Sequence, residues 1–233
     1  MSVLIKVQTA EFVTTITINR PEKRNALNRD MRAFIKKEIA RLNQSDQTKV
    51  IILTGTDPAF SAGVDFSELN DPETDFSEIG PLPGPFFSSD VPVIGAVNGA
   101  AYTGGLELAL TCNLLIASEK AVFADTHAKM GMMPGWGLSV HLPIAVGQAH
   151  AIQMMTSCQP VAAKEALEWG LINELVPHDS LLKRANEIAA DIAKQDISVI
   201  RKAGALLNKN KAERDKQAWV NEQAAFIKIE PSK

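Results

Sequence analysis

The sequence predicts an α/β fold, and three observations carry that prediction. Segments with the period of a strand alternate with segments with the period of a helix along most of the chain. Residues 50–54, VIILT, form an unbroken apolar run, the pattern of a strand covered on both faces. Two stretches, Arg29–Asn43 and Ser180–Lys194, gather apolar side chains on one helical face. A length of 233 residues suits one large domain, or one domain with a helical appendage. The expected division is a core over residues 1–195 and a helical C-terminal region over 196–233.

Each element has a local reason. Residues 12–19, FVTTITIN, alternate apolar and polar, which suits a half-buried strand. Residues 21–28, PEKRNALN, read as a loop. Asn28 is placed to cap a helix from about Arg29 to Asn43, with Met31, Phe34, Ile35, Ile39 and Leu42 on its apolar face. Strand 50–54 ends in the turn signal Gly55-Thr56-Asp57-Pro58. Residues 70–90, rich in acidic residues and proline, predict a long solvated loop. Strands are expected at Val93–Val97, Asn113–Ala117 and Ala121–Ala124, with a helix at Gly104–Thr111. Residues 131–137, GMMPGWG, form a Gly/Pro loop before the apolar segment Leu138–Val146. Lys164–Trp169 is helical and closes at Gly170, and after Asp196 the chain is helical and polar. The charged run Lys209–Lys216 reads as a solvated helix face.

Composition removes several classes. A net charge of −3 gives no footing for a nucleic-acid surface or an anionic membrane. Cys112 and Cys158 are too few for a disulfide framework, and no Cys/His spacing suits a metal. The N-terminal MSVLIKVQTAEF has no long apolar core, so a cytoplasmic protein is expected. No P-loop lysine motif, HExxH or GxSxG elbow occurs, and Gly135-Trp136-Gly137 lacks the third glycine of a dinucleotide turn.

What remains is one anomalous carboxylate. Between Asp90 and Glu119 the chain is apolar, and Glu107 is its only Asp, Glu, Lys or Arg. A charge in such a stretch must be paired, open to a cleft or kept for chemistry. It follows a glycine turn, Gly104-Gly105, and a second such turn, Ser61-Ala62-Gly63-Val64-Asp65, lies upstream. Two turns whose N–H groups converge make an oxyanion hole. Either turn alone is better read as a plain connection, and the lone carboxylate two residues after the second turn reverses that balance.

At these residues the sequence resembles the enoyl-CoA hydratase/isomerase (crotonase) superfamily. The resemblance runs through NRPEKRNALN (19–28), VIILTGTDPAFSAGVDFSEL (50–69), PVIGAVNGAAYTGGLELALTCNLLIAS (92–118), FADTHAKMGMMPGWGLSVHLP (123–143) and AKEALEWGLINELV (163–176). It implies a spiral of ββα units and a helical C-terminal region used in trimerisation, shortened in this chain. It implies an acyl-CoA thioester as substrate, no cofactor beyond that CoA, no metal, no nucleic-acid or membrane partner, and a homotrimer or dimer of trimers. By the same resemblance the N–H groups of Val64 and Gly104 hold the thioester oxygen and Glu107 handles the water. Arg24 and Ala26 contact CoA, and Ala62, Asp65, Gly105, Pro134, Gly135 and Trp136 complete the binding set.

The departures shape the expectation. Where the family places a second glutamate, this chain has His127, able to transfer protons near neutral pH but equally readable as a pocket-wall residue. Asp125 is a second candidate carboxylate. Ser67 stands where many members carry a lysine near the CoA phosphates. Met130, Met132, Met133, Trp136 and Leu138 suit an acyl pocket, with plain core as the simpler reading of each. The expected reaction is hydration of a 2-enoyl-CoA. A Δ3,Δ2-enoyl-CoA isomerase and a non-catalytic acyl-CoA binder are the alternatives, and a Cys112–His127 thioesterase is a remote third.

Overall fold

The computed structural model describes residues 4–69 and 89–226. The loop expected over residues 70–90 lies, apart from its last two residues, outside them. Two sheets form the core. The larger has six strands: β1 (Ile5–Ala10), β2 (Val13–Ile18), β3 (Val50–Gly55), β5 (Val93–Val97), β7 (Leu114–Ser118) and β10 (Glu174–Val176), in the order β1-β2-β3-β5-β7-β10. The smaller has four: β4 (Ala59–Ser61), β6 (Ala100–Tyr102), β8 (Val122–Ala124) and β9 (Val161–Ala162), in the order β4-β6-β8-β9. β1 and β2 form an antiparallel pair, and β2, β3, β5, β7 and β10 run parallel.

The order of the strands records a spiral. The chain lays β3 in the large sheet and β4 in the small one, then repeats with β5 and β6, and again with β7 and β8. Each turn advances one strand position in both sheets, so the β4 and β6 ends stack above one another. That stacking brings the two glycine turns, some forty residues apart in sequence, to one place.

The large sheet is covered on both faces, as the apolar run of β3 requires: all six of its residues are buried. One face holds Val50, Ile52, Ile94 and Ile116 under Leu181, Ala185 and Ala189 of α6 (Leu181–Ala193). The other holds Ile51 and Leu53 against α1 (Arg29–Asn43), with Ile35, Ile39 and Leu42. Alternate residues of a strand facing opposite sides account for the split. α1 begins where its cap predicts, with Asn28 Oδ1 accepting from Met31 N at 2.9 Å. Phe34, expected on the buried face, is 44% exposed. Arg32 is buried in its place, its guanidinium donating to Leu27 O at 2.9 Å and pairing with Glu68 at 2.7 Å.

The remaining helices are α2 (Phe66–Leu69), α3 (Gly104–Leu110), α4 (Leu138–Ser157), α5 (Ala163–Glu168) and α7 (Ile197–Ala225). α4 consists of two helical segments meeting at Gly147, whose φ is +78°. α7 is one 29-residue helix, capped by Asp196, whose carboxylate accepts from Ser198 N and Val199 N. Its polar run is not wholly solvated: Asp215 is buried beside His141. Among the described residues no helix is long and apolar enough to cross a membrane, and no cluster of potential metal ligands occurs.

Candidate active site

A cavity of about 480 Å³ opens between the two glycine turns and the 126–136 segment. A volume in the range of small-molecule sites, 300–1,000 Å³, makes it the natural candidate. Of the residues expected from sequence, Ala26, Ala62, Val64, Asp65, Gly104, Glu107, His127, Gly135 and Trp136 line it. Arg24, Gly105 and Pro134 do not. Arg24 is exposed and contributes its carbonyl, which accepts from Ala62 N at 3.0 Å. Gly105 is pressed against β4, so close that a Cβ would lie 1.9 Å from Ser61 O. Pro134 is buried behind the wall. Of the apolar set, Met130, Met132 and Trp136 line the cavity, whereas Leu138 is fully buried core.

The two backbone turns meet through glycines. Gly63 has φ +92°, and a Cβ on it would stand 2.8 Å from Gly104 N. Only glycine permits both the left-handed angle and the close approach. Val64 is pinned by a parallel bridge to Leu27, in which Leu27 N donates to Gly63 O at 2.7 Å and Asp65 N donates to Leu27 O at 3.1 Å. The Val64 N–H, one residue out of phase, points the other way. Gly104 opens α3 after Thr103, itself at φ +54°. Its N–H is among the first of a helix and has no intrahelical partner. Val64 and Gly104 both line the cavity beside the contact between Gly63 and Gly104.

The loop beneath is held by side chains. Asn25 Nδ2 donates to Thr56 O at 2.7 Å and Ala59 O at 2.6 Å, and Ser61 Oγ donates to Asn25 O at 2.9 Å. Asp65 pairs with Arg20 and accepts from Ser67 Oγ at 2.7 Å. Burial would raise its pKa, but these bonds and the guanidinium charge draw it down to about 2. Ser67 is thus spent on Asp65. Lys23, which sequence reasoning passed over, is the cation that reaches the cavity.

The opposite wall carries the proton groups. Glu107, 2% exposed, accepts through Oε1 from Trp136 N at 2.8 Å and from Leu138 N at 3.3 Å. Its Oε2 stands 3.8 Å from His127 Nε2. His127 Nδ1 lies 2.7 Å from Asp125 Oδ1, which also accepts from His127 N at 3.0 Å. Asp125 is therefore behind the imidazole and His127 faces the cavity. Burial raises the Glu107 pKa to about 7, with the nearby Glu222 adding and the His127 charge and the two N–H donors opposing. For His127 burial disfavours the imidazolium, yet the Asp125 hydrogen bond and the charges of Glu107 and Asp125 raise its pKa overall. A carboxyl and an imidazole whose pKa values are both raised, side by side in a cavity that Val64 and Gly104 also line, can exchange protons with a bound molecule. Cys112 is not among them: it packs against Gly95, and burial pushes its thiol up to about 12.

The family model for enoyl-CoA hydratase/isomerase matches residues 8–232. The chain belongs to the enoyl-CoA hydratase/isomerase family. It is 35% identical over 207 residues to a probable peroxisomal enoyl-CoA hydratase of Arabidopsis thaliana, covering 84% of this chain and 75% of that one. A short-chain-enoyl-CoA hydratase of Clostridium acetobutylicum is 37% identical over 186 residues, covering 77% and 71%. The crystal structure of an enoyl-CoA hydratase from Mycobacterium tuberculosis H37Rv superposes with a TM-score of 0.91 at 40% identity, over 99% of this chain and all of that one. The spiral of strand pairs is the fold that the resemblance implied.

Two residues of the site come from the end of α7 and were not among those expected from the sequence. Phe226 lines the cavity from the end of α7, where only the apolar step AAF marks it. Glu222 sits one turn before it and is 4% exposed.

Proposed function

We propose that the chain is an enoyl-CoA hydratase whose reaction is run by Glu107 and His127 in place of two glutamates. The observation that carries this reading is the 3.8 Å approach of Glu107 Oε2 to His127 Nε2 in a cavity that Val64 and Gly104 also line. Water held between them loses a proton to Glu107 as its oxygen bonds to C3 of the thioester. The C2–C3 electrons move toward the thioester oxygen, which accepts from Val64 N–H and Gly104 N–H. His127, charged and braced by Asp125, delivers its Nε2 proton to C2. Glu107 then returns its proton to His127, and the site is reset. Each oxyanion donor is worth about 3 kcal/mol in comparable sites. No cofactor beyond the substrate's CoA enters this balance.

Ala26 and the 20–27 loop are the proposed CoA contacts, with Lys23 supplying the positive charge that Ser67 does not. Met130, Met132, Trp136 and Phe226 enclose the acyl end. The exposed apolar residues Val199, Leu206, Leu207 and Val220 of α7 support a homotrimer, or a dimer of trimers. The bacterial relatives support a cytoplasmic location.

The test is a panel of 2-enoyl-CoA chain lengths followed by loss of the conjugated-thioester absorbance. Turnover on at least one, abolished in Glu107→Gln with thioester affinity kept, is expected. A purified protein that binds these esters and turns over none of them overturns the reading.

A further inference from the structure

We infer that Glu222 is a positioning residue for Glu107, acting through the backbone of residues 136–139. Four consecutive N–H groups are shared alternately between the two carboxylates. Trp136 N and Leu138 N donate to Glu107. Gly137 N and Ser139 N donate to Glu222, at 2.6 and 2.9 Å, and the Ser139 hydroxyl adds a bond of 2.5 Å. The two side chains grip one peptide segment from opposite sides. The segment fixes Oε1 of Glu107, and so aims Oε2 at His127, while Glu222 fixes the segment.

The rest of α7's last turns bear on the same stretch. Gln223 Nε2 donates to Gly135 O at 2.9 Å. The Phe226 ring lies against Gly135, where a Cβ would come within 2.6 Å of it. Gly137, at φ +99°, is crowded by Trp219 and His141, both within 3.0 Å of where its Cβ would stand. A segment so tightly bounded transmits a displacement rather than absorbing it.

Glu222 also acts by charge. The charged and titratable groups facing Glu107 are His127, from the β8–α4 connection, and Glu222, from α7; Asp125 reaches it through His127. Lys211, Arg214 and Asp215, on earlier turns of α7, face His141 instead. The buried negative charge of Glu222 holds the proton on Glu107 and favours the imidazolium of His127. Its removal lowers both proton affinities. The acid limb of a rate profile, set by deprotonation of Glu107, and the alkaline limb, set by protonation of His127, then move together to lower pH. A clamp that was only structural would lower the rate and leave both limbs in place.

The positioning role, read as kcat, rests on the hydratase reading, but the charge effect is measurable without turnover. Full-length protein carrying carboxyl-labelled glutamate is titrated by carbon NMR, with Glu107→Gln assigning the resonance. In Glu222→Gln the Glu107 midpoint is expected to fall on the order of one pH unit. Ser139→Ala, which loosens the grip and keeps the charge, leaves it near the wild-type value. So does Glu222→Asp, the second variant should Glu222→Gln fail to fold. In the assay, Glu222→Gln lowers kcat about tenfold with KM within about twofold, and shifts both limbs. An unchanged Glu107 midpoint in Glu222→Gln, or an equal shift in Ser139→Ala, overturns the inference. An inactive wild type removes the hydratase reading, and the titration still decides on Glu222.

Discussion

Two buried histidines each stand 3.8 Å from a buried carboxylate oxygen, His127 beside Glu107 and His141 beside Asp215. Their side chains are almost equally inaccessible, at 8% and 5% exposed. Yet the pKa of His127 is raised, while burial and the charge of Lys211 drive that of His141 down to about 3, against the pull of Asp215. One carboxylate at this distance does not outweigh the loss of water around an imidazolium. What separates the pairs is the second partner. His127 has Asp125 bonded to its other nitrogen, whereas His141 faces Lys211 and Arg214. The lesson concerns the proton chemistry: the pKa of His127 is raised rather than lowered because Asp125 came with it.

The sharpest way to break the comparison is to remove the proposed base. Glu107→Gln is expected to lower kcat by about 10³-fold, within the range general bases supply, with thioester affinity retained in a binding titration. Next, Asp125→Asn should make His127 resemble His141. The expected result is a 10–100-fold fall in kcat, of the order ~10² that loss of a proton group gives, and an alkaline limb moved to lower pH. A profile left in place would show that Glu107 alone sustains the imidazolium.

A stability measurement sharpens the other half. The folded-state pKa of Glu107, about 7, lies above the ordinary 4.5. Its contribution is therefore fully present below pH 4.5 and lost as pH rises through 7, at most about 3 kcal/mol. Glu107→Gln removes that loss. Denaturant midpoints should show the variant gaining on wild type between pH 5 and 8. The smallest effect belongs to His141→Gln, which leaves the cavity lining intact but alters the packing on Gly137: kcat should fall by less than about tenfold, with the limbs of the pH profile in place.

How much could be read from the sequence follows the range of the forces involved. Helix α1 was legible to the residue because Asn28 and Met31 settle its start within four positions. The meeting of the two glycine turns was legible because Gly63 and Gly104-Gly105 are local signals of unusual backbone. Phe34 was not, because Arg32 wins the buried position through bonds to Leu27 and to Glu68, thirty-six residues away. His127 was legible as a departure, but its proton state was not. Asp125 and His127 are two residues apart, and only the turn after β8 folds the carboxylate onto Nδ1 rather than leaving it on the strand. Glu222 was illegible altogether, since its three donors lie more than eighty residues upstream.

The long α7 has a consequence in time. A helix of 29 residues rises about 43 Å, enough to run from the guanidinium contacts of Arg201 on Asn43 and Ser45 to the ring of Phe226 in the cavity wall. On the ribosome, the strands, both glycine turns, Glu107 and His127 are all made before this helix is. A nascent chain can thus complete its spiral while the pocket still lacks a side and Glu107 its brace. The last turn of α7 closes both at once, so the pocket's last side and the brace on residues 136–139 arrive together, after the spiral rather than with it.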